Sequence, residues 1–246
     1  MANVAILGYG VVGSGVSEVI RNNSKNIRLR AGEDIVVKKI LDIKEIPAPD
    51  NELLTKLPED VFNDDSIDIV VETIGVLEIS YNYTKRALES GKHVVTSNKE
   101  LVATYGPELL KLAKENNVSY LFEASVGGGI PIIRPLCQCL AANEIHSVKG
   151  ILNGTTNYIL TRMKKDGSKF DEALKEAKAK GYAEANPTAD IEGMDACRKI
   201  AILSSIAYDE FVDYRNITTE GISKITLADM EFAEEMGCVI KLLAVS

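Results

Sequence analysis

The chain has 246 residues, 46% of them hydrophobic, with 28 Lys and Arg against 36 Asp and Glu, a formal net charge of −8. That length holds one large or two ordinary domains with an ample core. The acidic balance, without a long Lys/Arg run, argues against a nucleic-acid partner. No apolar run approaches the ~20 residues that cross a bilayer, which argues against a membrane partner and for a soluble protein. A strand-like run starts directly after Met1-Ala2-Asn3, leaving no room for a basic leader and apolar signal region, so the cytoplasm is the expected location.

The run Val4–Leu7 ends in Gly8-Tyr9-Gly10-Val11-Val12-Gly13 and passes into a helical pattern reaching about Arg21. Strand, glycine turn and helix in that order form a dinucleotide fingerprint: Gly8 makes the tight turn, Gly10 admits the pyrophosphate, and Gly13 packs helix on strand. The helix N-terminus at Val11 and Val12 then faces the phosphates. After a polar insertion over 22–34, a second strand, Ile35–Leu41, ends at Asp42. Asp42 stands where a carboxylate holds the ribose hydroxyls of NAD and disfavours the extra phosphate of NADP. Lys39 and Lys44 weaken that preference, and Asp42 also suits an ordinary strand-end turn.

Residues 43–66, with Pro47, Pro49 and Pro58, read as loops with a short helix. A third strand, Ile67–Val71, leads through Glu72, Thr73 and Gly75 to a helix of about Ile79–Ser90. A fourth strand, His93–Val95, exits through Asn98 and Lys99 into a helix of about Glu100–Asn116, and a fifth follows at Val118–Phe122. Regular alternation of strand and helix predicts a doubly wound parallel sheet of Rossmann type over residues 1–130. Ligands of such sheets bind outside the carboxyl ends of the strands, where Glu72, Thr73, Lys99 and Glu123 fall. Lys99 starts a helix, a position where its charge opposes the helix dipole.

The segment Glu123–Pro131 carries three glycines and leads into a helix with Pro131 near its start. It suits either a hinge or backbone carbonyls converging on a cation or ligand. Residues 131–246 alternate less neatly and predict an α+β domain. A strand-like stretch Ile145–Leu152 is followed by Asn153–Tyr158, helices near Asn157–Lys165, Phe170–Lys180 and Leu227–Glu235, and a strand over Cys238–Val245. Cys137, Cys139, Cys197 and Cys238 lack zinc-site spacing and read as buried free thiols.

The densest cluster of charge lies between Gly181 and Lys199, where Glu184, Asp190, Glu192, Asp195 and Lys199 precede the apolar run Ile200–Leu203. Asn186-Pro187 predicts a cap with proline at the first helical position, and one helix running to about Tyr208. Asp195 and Lys199, four apart, share a face. On a surface helix they form a weak solvated pair; on a buried helix, desolvation and the neighbouring carboxylate pull the amine in opposite directions, which suits an acid/base group. His93 and His146 have no neighbours resembling a triad or metal cluster, which leaves acid/base work to lysine or carboxylates.

On these residues the chain resembles the homoserine dehydrogenases. The likeness rests on Gly8–Gly13, Ser90–Lys99, Glu123–Pro131, Asn153–Tyr158, and the spaced set Ala177, Gly181, Pro187, Asp190, Gly193, Asp195 and Lys199. It implies NAD- or NADP-dependent interconversion of L-homoserine and L-aspartate 4-semialdehyde, in threonine, methionine and isoleucine biosynthesis. By that resemblance Lys199 is the acid/base, and Lys99 is near the nicotinamide and substrate. Glu184 and Asp195 bind substrate with support from Asp190, and Thr73 and Gly181 approach the cofactor. It also implies a sodium-type cation at Glu123, Val126, Gly128 and Ile130. A homodimer through the second domain is expected because dimers are the commonest oligomers and an unfinished sheet wants a partner. Three departures stand out: Asn186 where the family usually has aspartate, Val76 for a second glycine, and Ile79 for a proline. The family's second domain normally continues past the position of Ser246, so an incomplete second domain is expected. The alternative reading is an inactive nucleotide-binding fragment or sensor of the same fold.

Overall fold

A computed structural model describes residues 1–246, which divide into two compact units, Met1–Pro131 and Ile132–Ser246. In the first unit the elements run β1 (Ala2–Leu7), α1 (Val11–Asn22), α2 (Ser24–Ala31), β2 (Ile35–Leu41), β3 (Leu54–Thr55), α3 (Glu59–Phe62), β4 (Ile69–Glu72), α4 (Leu77–Glu89), β5 (His93–Thr96), α5 (Lys99–Glu115), β6 (Tyr120–Leu121) and α6 (Ala124–Gly127). The strands form one sheet in the order β3-β2-β1-β4-β5-β6, and every pair is parallel. The order reverses between β1 and β4, so the crevice at their carboxyl ends is the place where a doubly wound sheet binds its ligand. Leu7, the last residue of β1, pairs with both Leu41 and Glu72.

Apolar runs such as Val4–Leu7 form strands because both sheet faces are covered; Ala5, Ile6 and Leu7 have no exposed surface. One side packs Val4, Ile6, Ile40 and Ile46 with Val16 and Ile20 of α1. The strand β3 and the helix α2 lie in stretches the sequence predicts as loop and insertion. A two-residue strand has no period to detect. The helix α2 buries none of its residues, so no amphipathic stripe marks it, and Gly32 closes it at φ 80°.

The second unit contains α7 (Gly154–Asp166), α8 (Phe170–Ala179), α9 (Thr188–Ile191), α10 (Met194–Tyr208) and α11 (Leu227–Glu235), with β7 (Lys149–Gly150) and β8 (Ala244–Val245) paired antiparallel. Its core gathers Ile159, Leu160 and Met163 from α7, Ala173 and Ala177 from α8, and Ile222 and Met230. The two long strands predicted over 145–152 and 238–245 shrink to two residues each, because they have only one another to pair with. The helix expected after Pro131 is a π-helical turn, Pro135–Cys139. Only Cys197 is buried; Cys137, Cys139 and Cys238 are free but exposed, contrary to expectation.

The single helix predicted from Pro187 to Tyr208 is two helices. Gly193, at φ 82°, turns the chain between α9 and α10. A Cβ on Gly193 would stand 2.9 Å from Thr219, and one on Gly221 would stand 2.4 Å from the Ile191 carbonyl. Two glycines thus let the 219–222 segment cross the 191–193 turn, and Ile222 N–H donates to Ile191 O at 2.7 Å. Pro187 precedes α9 instead of opening it, and Asn186 accepts the Thr188 hydroxyl at 2.7 Å.

Candidate active site

In the first unit the glycine turn is built from backbone contacts. A Cβ on Gly13 would lie 2.0 Å from the Gly8 carbonyl, and one on Gly8, at φ 91°, would meet Thr73 O at 3.0 Å. Gly10 differs, because a Cβ there meets nothing within 4 Å. Its missing side chain leaves an opening in front of the helix. No side chain caps α1, so its first N–H groups, at Val11 and Val12, are left for a ligand. Open space at Gly10 and an uncapped helix together fit a dinucleotide pyrophosphate.

Asp42 follows β2 and turns towards this loop: its Oδ2 accepts the Tyr9 N–H at 2.6 Å and its Oδ1 the Lys44 N–H at 2.8 Å. Each oxygen keeps a second lone pair for a hydroxyl. The Thr73 hydroxyl points back to the Leu7 and Gly8 carbonyls at 3.0 and 2.8 Å, which fixes the turn from the β4 side. Lys99 is the first residue of α5, half-buried, behind the N-cap Asn98, whose side chain accepts the Leu101 N–H. Sequence reasoning missed Asp50. Although 4% exposed, it accepts from Tyr9 Oη at 2.5 Å, Ser17 Oγ at 2.6 Å and Arg21 at 2.7 Å, so the tyrosine within the glycine turn is tied at both its N–H and its hydroxyl.

In the second unit Asp190, Asp195 and Lys199 come together around a residue that sequence reasoning left without a role, Asn153. The Lys199 ammonium lies 2.8 Å from Asp195 Oδ2 and donates to Leu152 O at 2.9 Å, with side-chain exposures of 16% for the lysine and 5% for the aspartate. Asn153 Nδ2 donates to Asp190 Oδ1 at 2.7 Å and Asp195 Oδ2 at 3.0 Å, while its Oδ1 caps α7 by accepting the Thr156 N–H at 2.8 Å. These groups line an open cleft of about 470 Å³ with Gly154, Thr155, Tyr158 and Tyr182. Thr155 fixes the Tyr182 backbone at 2.7 Å, and the two tyrosine rings tilt against each other at 4.9 Å. A cleft with two carboxylates, an ammonium and aromatic walls suits a small zwitterion with a hydroxyl or carbonyl to protonate.

Residues 8–123 match the model described as the NAD binding domain of homoserine dehydrogenase, and residues 131–246 match the homoserine dehydrogenase model itself. The homoserine dehydrogenase of Bacillus subtilis is 45% identical over 99% of the chain and 57% of its own length. A crystal structure of the Thiobacillus denitrificans enzyme superposes with a TM-score of 0.92 at 46% identity, covering 99% of this chain and 57% of that one. A provisionally named homoserine dehydrogenase from Archaeoglobus fulgidus superposes at 0.90, with 35% identity, over 100% of this chain and 80% of that one. The chain belongs to the homoserine dehydrogenase family.

It spans about 57% of the length of the curated homoserine dehydrogenases it matches. Its first unit is the NAD-binding domain of that family, and no helix is long and apolar enough to cross a membrane. Of the remaining residues that the homoserine dehydrogenase resemblance singles out, Glu184 is exposed and Gly181, at φ 74°, is an exposed turn; neither lines the Asn153 cleft. Glu123 is half-buried, Val126 buried, and Gly128 and Ile130 exposed, in a segment that coils through α6 and turns at Gly128 with φ 60°. Val76, one of the three departures, sits before α4 at φ −101°, ψ 112°, an extended backbone that needs no glycine.

Proposed function

We propose that the chain carries the machinery for NAD- or NADP-dependent interconversion of L-homoserine and L-aspartate 4-semialdehyde. The observation that carries this reading is the Lys199 ammonium held between Asp195 and the Leu152 carbonyl at the edge of an acidic cleft. The dinucleotide, when bound, supplies the hydride acceptor for the alcohol carbon, or the donor for the aldehyde. In the reducing direction Lys199 delivers a proton to the aldehyde oxygen as it gains charge; in the oxidising direction its amine takes the hydroxyl proton. Asp195 and Leu152 O fix the amine's orientation. Asp190 and Asp195 bind the substrate in the cleft, Glu184, which lies outside the cleft lining, takes the substrate ammonium by the family resemblance, and Asn153 keeps Asp190 and Asp195 from repelling one another.

In the first unit Gly8, Gly10, Val11, Val12 and Gly13 receive the pyrophosphate and Asp42 the ribose hydroxyls. Thr73 and Lys99 serve the nicotinamide end. A sodium-type cation at Glu123, Val126, Gly128 and Ile130 would depend on one carboxylate and main-chain carbonyls, since no three His, Cys, Asp or Glu side chains converge in the chain. Four free cysteines suit a reducing cytoplasm. The second unit would also form a homodimer, as a two-stranded sheet with exposed Leu243 and Val245 favours an added partner.

The test is turnover of homoserine, followed by nicotinamide absorbance with NAD and with NADP. Turnover lost in Lys199→Ala while cofactor affinity survives supports the enzyme. Cofactor binding by the unaltered chain without any turnover shows instead a nucleotide-binding fragment.

A further inference from the structure

Glu72 ends β4 with no exposed surface at all. A carboxylate there is costly to bury unless every oxygen finds donors, whereas a valine, like its neighbours Val70 and Val71, would fill such a site in a parallel sheet without that demand. Both its oxygens accept hydrogen bonds. Oε1 accepts the Ile74 N–H at 2.8 Å and the Ser80 hydroxyl at 2.7 Å; Oε2 accepts the Thr96 hydroxyl at 2.7 Å. These donors belong to three places: the turn after β4, the first turns of α4, and the end of β5, where Thr96 pairs directly with Glu72 in the sheet.

The same two hydroxyls then act as acceptors. Thr96 Oγ1 takes the Asn98 N–H at 2.9 Å, and Ser80 Oγ takes the Asn98 side-chain amide at 3.3 Å. With its amide committed to Ser80, Asn98 presents Oδ1 to the Leu101 N–H and caps α5, whose first residue is Lys99. A Glu72 carboxylate that only accepts forces both hydroxyls to donate to it, and so leaves their lone pairs for Asn98. The direction of the two hydroxyl bonds follows from that one residue.

We propose that Glu72 is a positioning residue for the nicotinamide end of the cofactor: through Ile74 it sets the Thr73–Gly75 turn, and through Thr96, Ser80 and Asn98 it sets the start of α5 and Lys99. The proposal rests on the reading that Thr73 and Lys99 serve that end. Glu72→Gln keeps the shape but places an amide donor in the network, so that either Thr96 or Ser80 must turn its hydroxyl hydrogen away from residue 72, which loosens the placement of the oxygen that holds Asn98.

The test uses the full chain with NADH, ADP-ribose and homoserine. In Glu72→Gln, ADP-ribose affinity stays within about threefold of the unaltered chain, since the glycine turn is untouched. The emission of bound NADH shifts towards that of free NADH, and kcat falls at least ~tenfold with little change in KM, the signature of misplaced reacting groups. Thr96→Val reproduces the effect and Thr96→Ser restores it, which keeps the test open if Glu72→Gln does not fold. Folded Glu72→Gln and Thr96→Val proteins with unaltered NADH emission and kcat would overturn the proposal. Equal weakening of ADP-ribose would also overturn it, because the residue would then serve the whole domain. If the unaltered chain binds NADH but does not turn over homoserine, the functional reading fails while the emission shift still decides the role of Glu72; absence of NADH binding overturns both.

Discussion

The Asn153 amide donates to Asp195 across 3.0 Å, joining the residue that caps α7 to the first turn of α10. The same amide reaches Asp190 at 2.7 Å, so one neutral side chain separates two carboxylates and leaves Asp195 aligned on Lys199. Replacing Asn153 with serine retains an N-cap acceptor but removes both donations. We expect Asn153→Ser to lose about 1–3 kcal/mol of stability, the cost of leaving buried acceptors unmatched, and kcat/KM for homoserine to fall at least ~tenfold. Asn153→Asp, which adds a third carboxylate, should be worse on both counts. Urea denaturation and steady-state kinetics on the two variants check this; a Ser variant with unaltered kinetics would remove Asn153 from the site.

Lys199→Met keeps the length and apolar stem of the side chain and removes the amine. Its removal takes one ion-pair partner from the buried Asp195, so some stability goes with it. Turnover should drop by the ~10²–10⁴-fold typical of a lost proton-transfer group, far more than KM rises. A kcat within twofold of the unaltered chain would retire the assignment.

The glycine turn separates two kinds of glycine. Gly13→Ala must push a methyl group into the Gly8 carbonyl, which lies 2.0 Å from the added atom, so both stability and dinucleotide binding should fall. Gly10→Ala has open space in the unliganded fold. Its melting temperature should stay within a degree or two, while its affinity for NADH falls at least ~tenfold, because the methyl group occupies the ground the pyrophosphate needs. Thermal melts beside fluorescence titrations distinguish the two. A Gly10→Ala chain that binds NADH normally would show that the phosphates approach elsewhere.

Asp50 and Tyr9 give the first unit a pH dependence at both extremes. Burial alone would raise the Asp50 pKa, but hydrogen bonds from Ser17 and Tyr9 and the Arg21 charge outweigh it and hold the carboxyl below the usual aspartate range. Its contribution is therefore complete above the unfolded value of ~3.9 and is lost as the pH falls through the folded value. Burial first, and then the bond to Asp50, push the Tyr9 phenol up to about 12. The fold favours the neutral phenol, so this contribution is complete below the unfolded value of ~10 and fades as the pH rises towards the folded one. Urea midpoints across pH should show Asp50→Asn flattening the acid limb and Tyr9→Phe the alkaline limb. Unchanged limbs would place the dependence elsewhere.

Asp42 should give NAD a modest advantage over NADP, since its carboxylate turns towards the glycine loop but exposed Lys44 stands two residues away. Asp42→Ser should narrow that advantage by raising NADP affinity more than it lowers NAD affinity. Because Asp42 also accepts the Tyr9 N–H, the variant should cost both cofactors something. A much lower KM for NADP in the unaltered chain would show that Lys39 or Lys44 dominates.

The first unit was largely legible because a parallel strand covered on both faces is a continuous apolar run, and Val4–Leu7 needs only local composition to be seen; Ile35–Leu41, interrupted by Lys38 and Lys39, still carries its β-branched residues in one short stretch. The fingerprint Gly8–Gly13 was equally plain, since its glycines answer to contacts between residues close in sequence or at one neighbouring turn. Lys199 and Asp195 announced themselves by a four-residue spacing. The tertiary structure alone decided where α10 begins, because the break at Gly193 comes from the 219–222 segment crossing behind it, and no local pattern records a crossing. It alone decided the roles of Asn153, Asp50 and Glu72 as well. Each looks like an ordinary cap, loop or strand-end residue in the sequence, and, beyond the local donor groups of Ile74 and Thr156, its partners lie 8 to 42 positions away along the chain, brought within hydrogen-bond reach only once strands and helices have packed. Hydrophobic periodicity is a property of neighbours and survives in the sequence; the pairing of buried polar groups is a property of the packed fold.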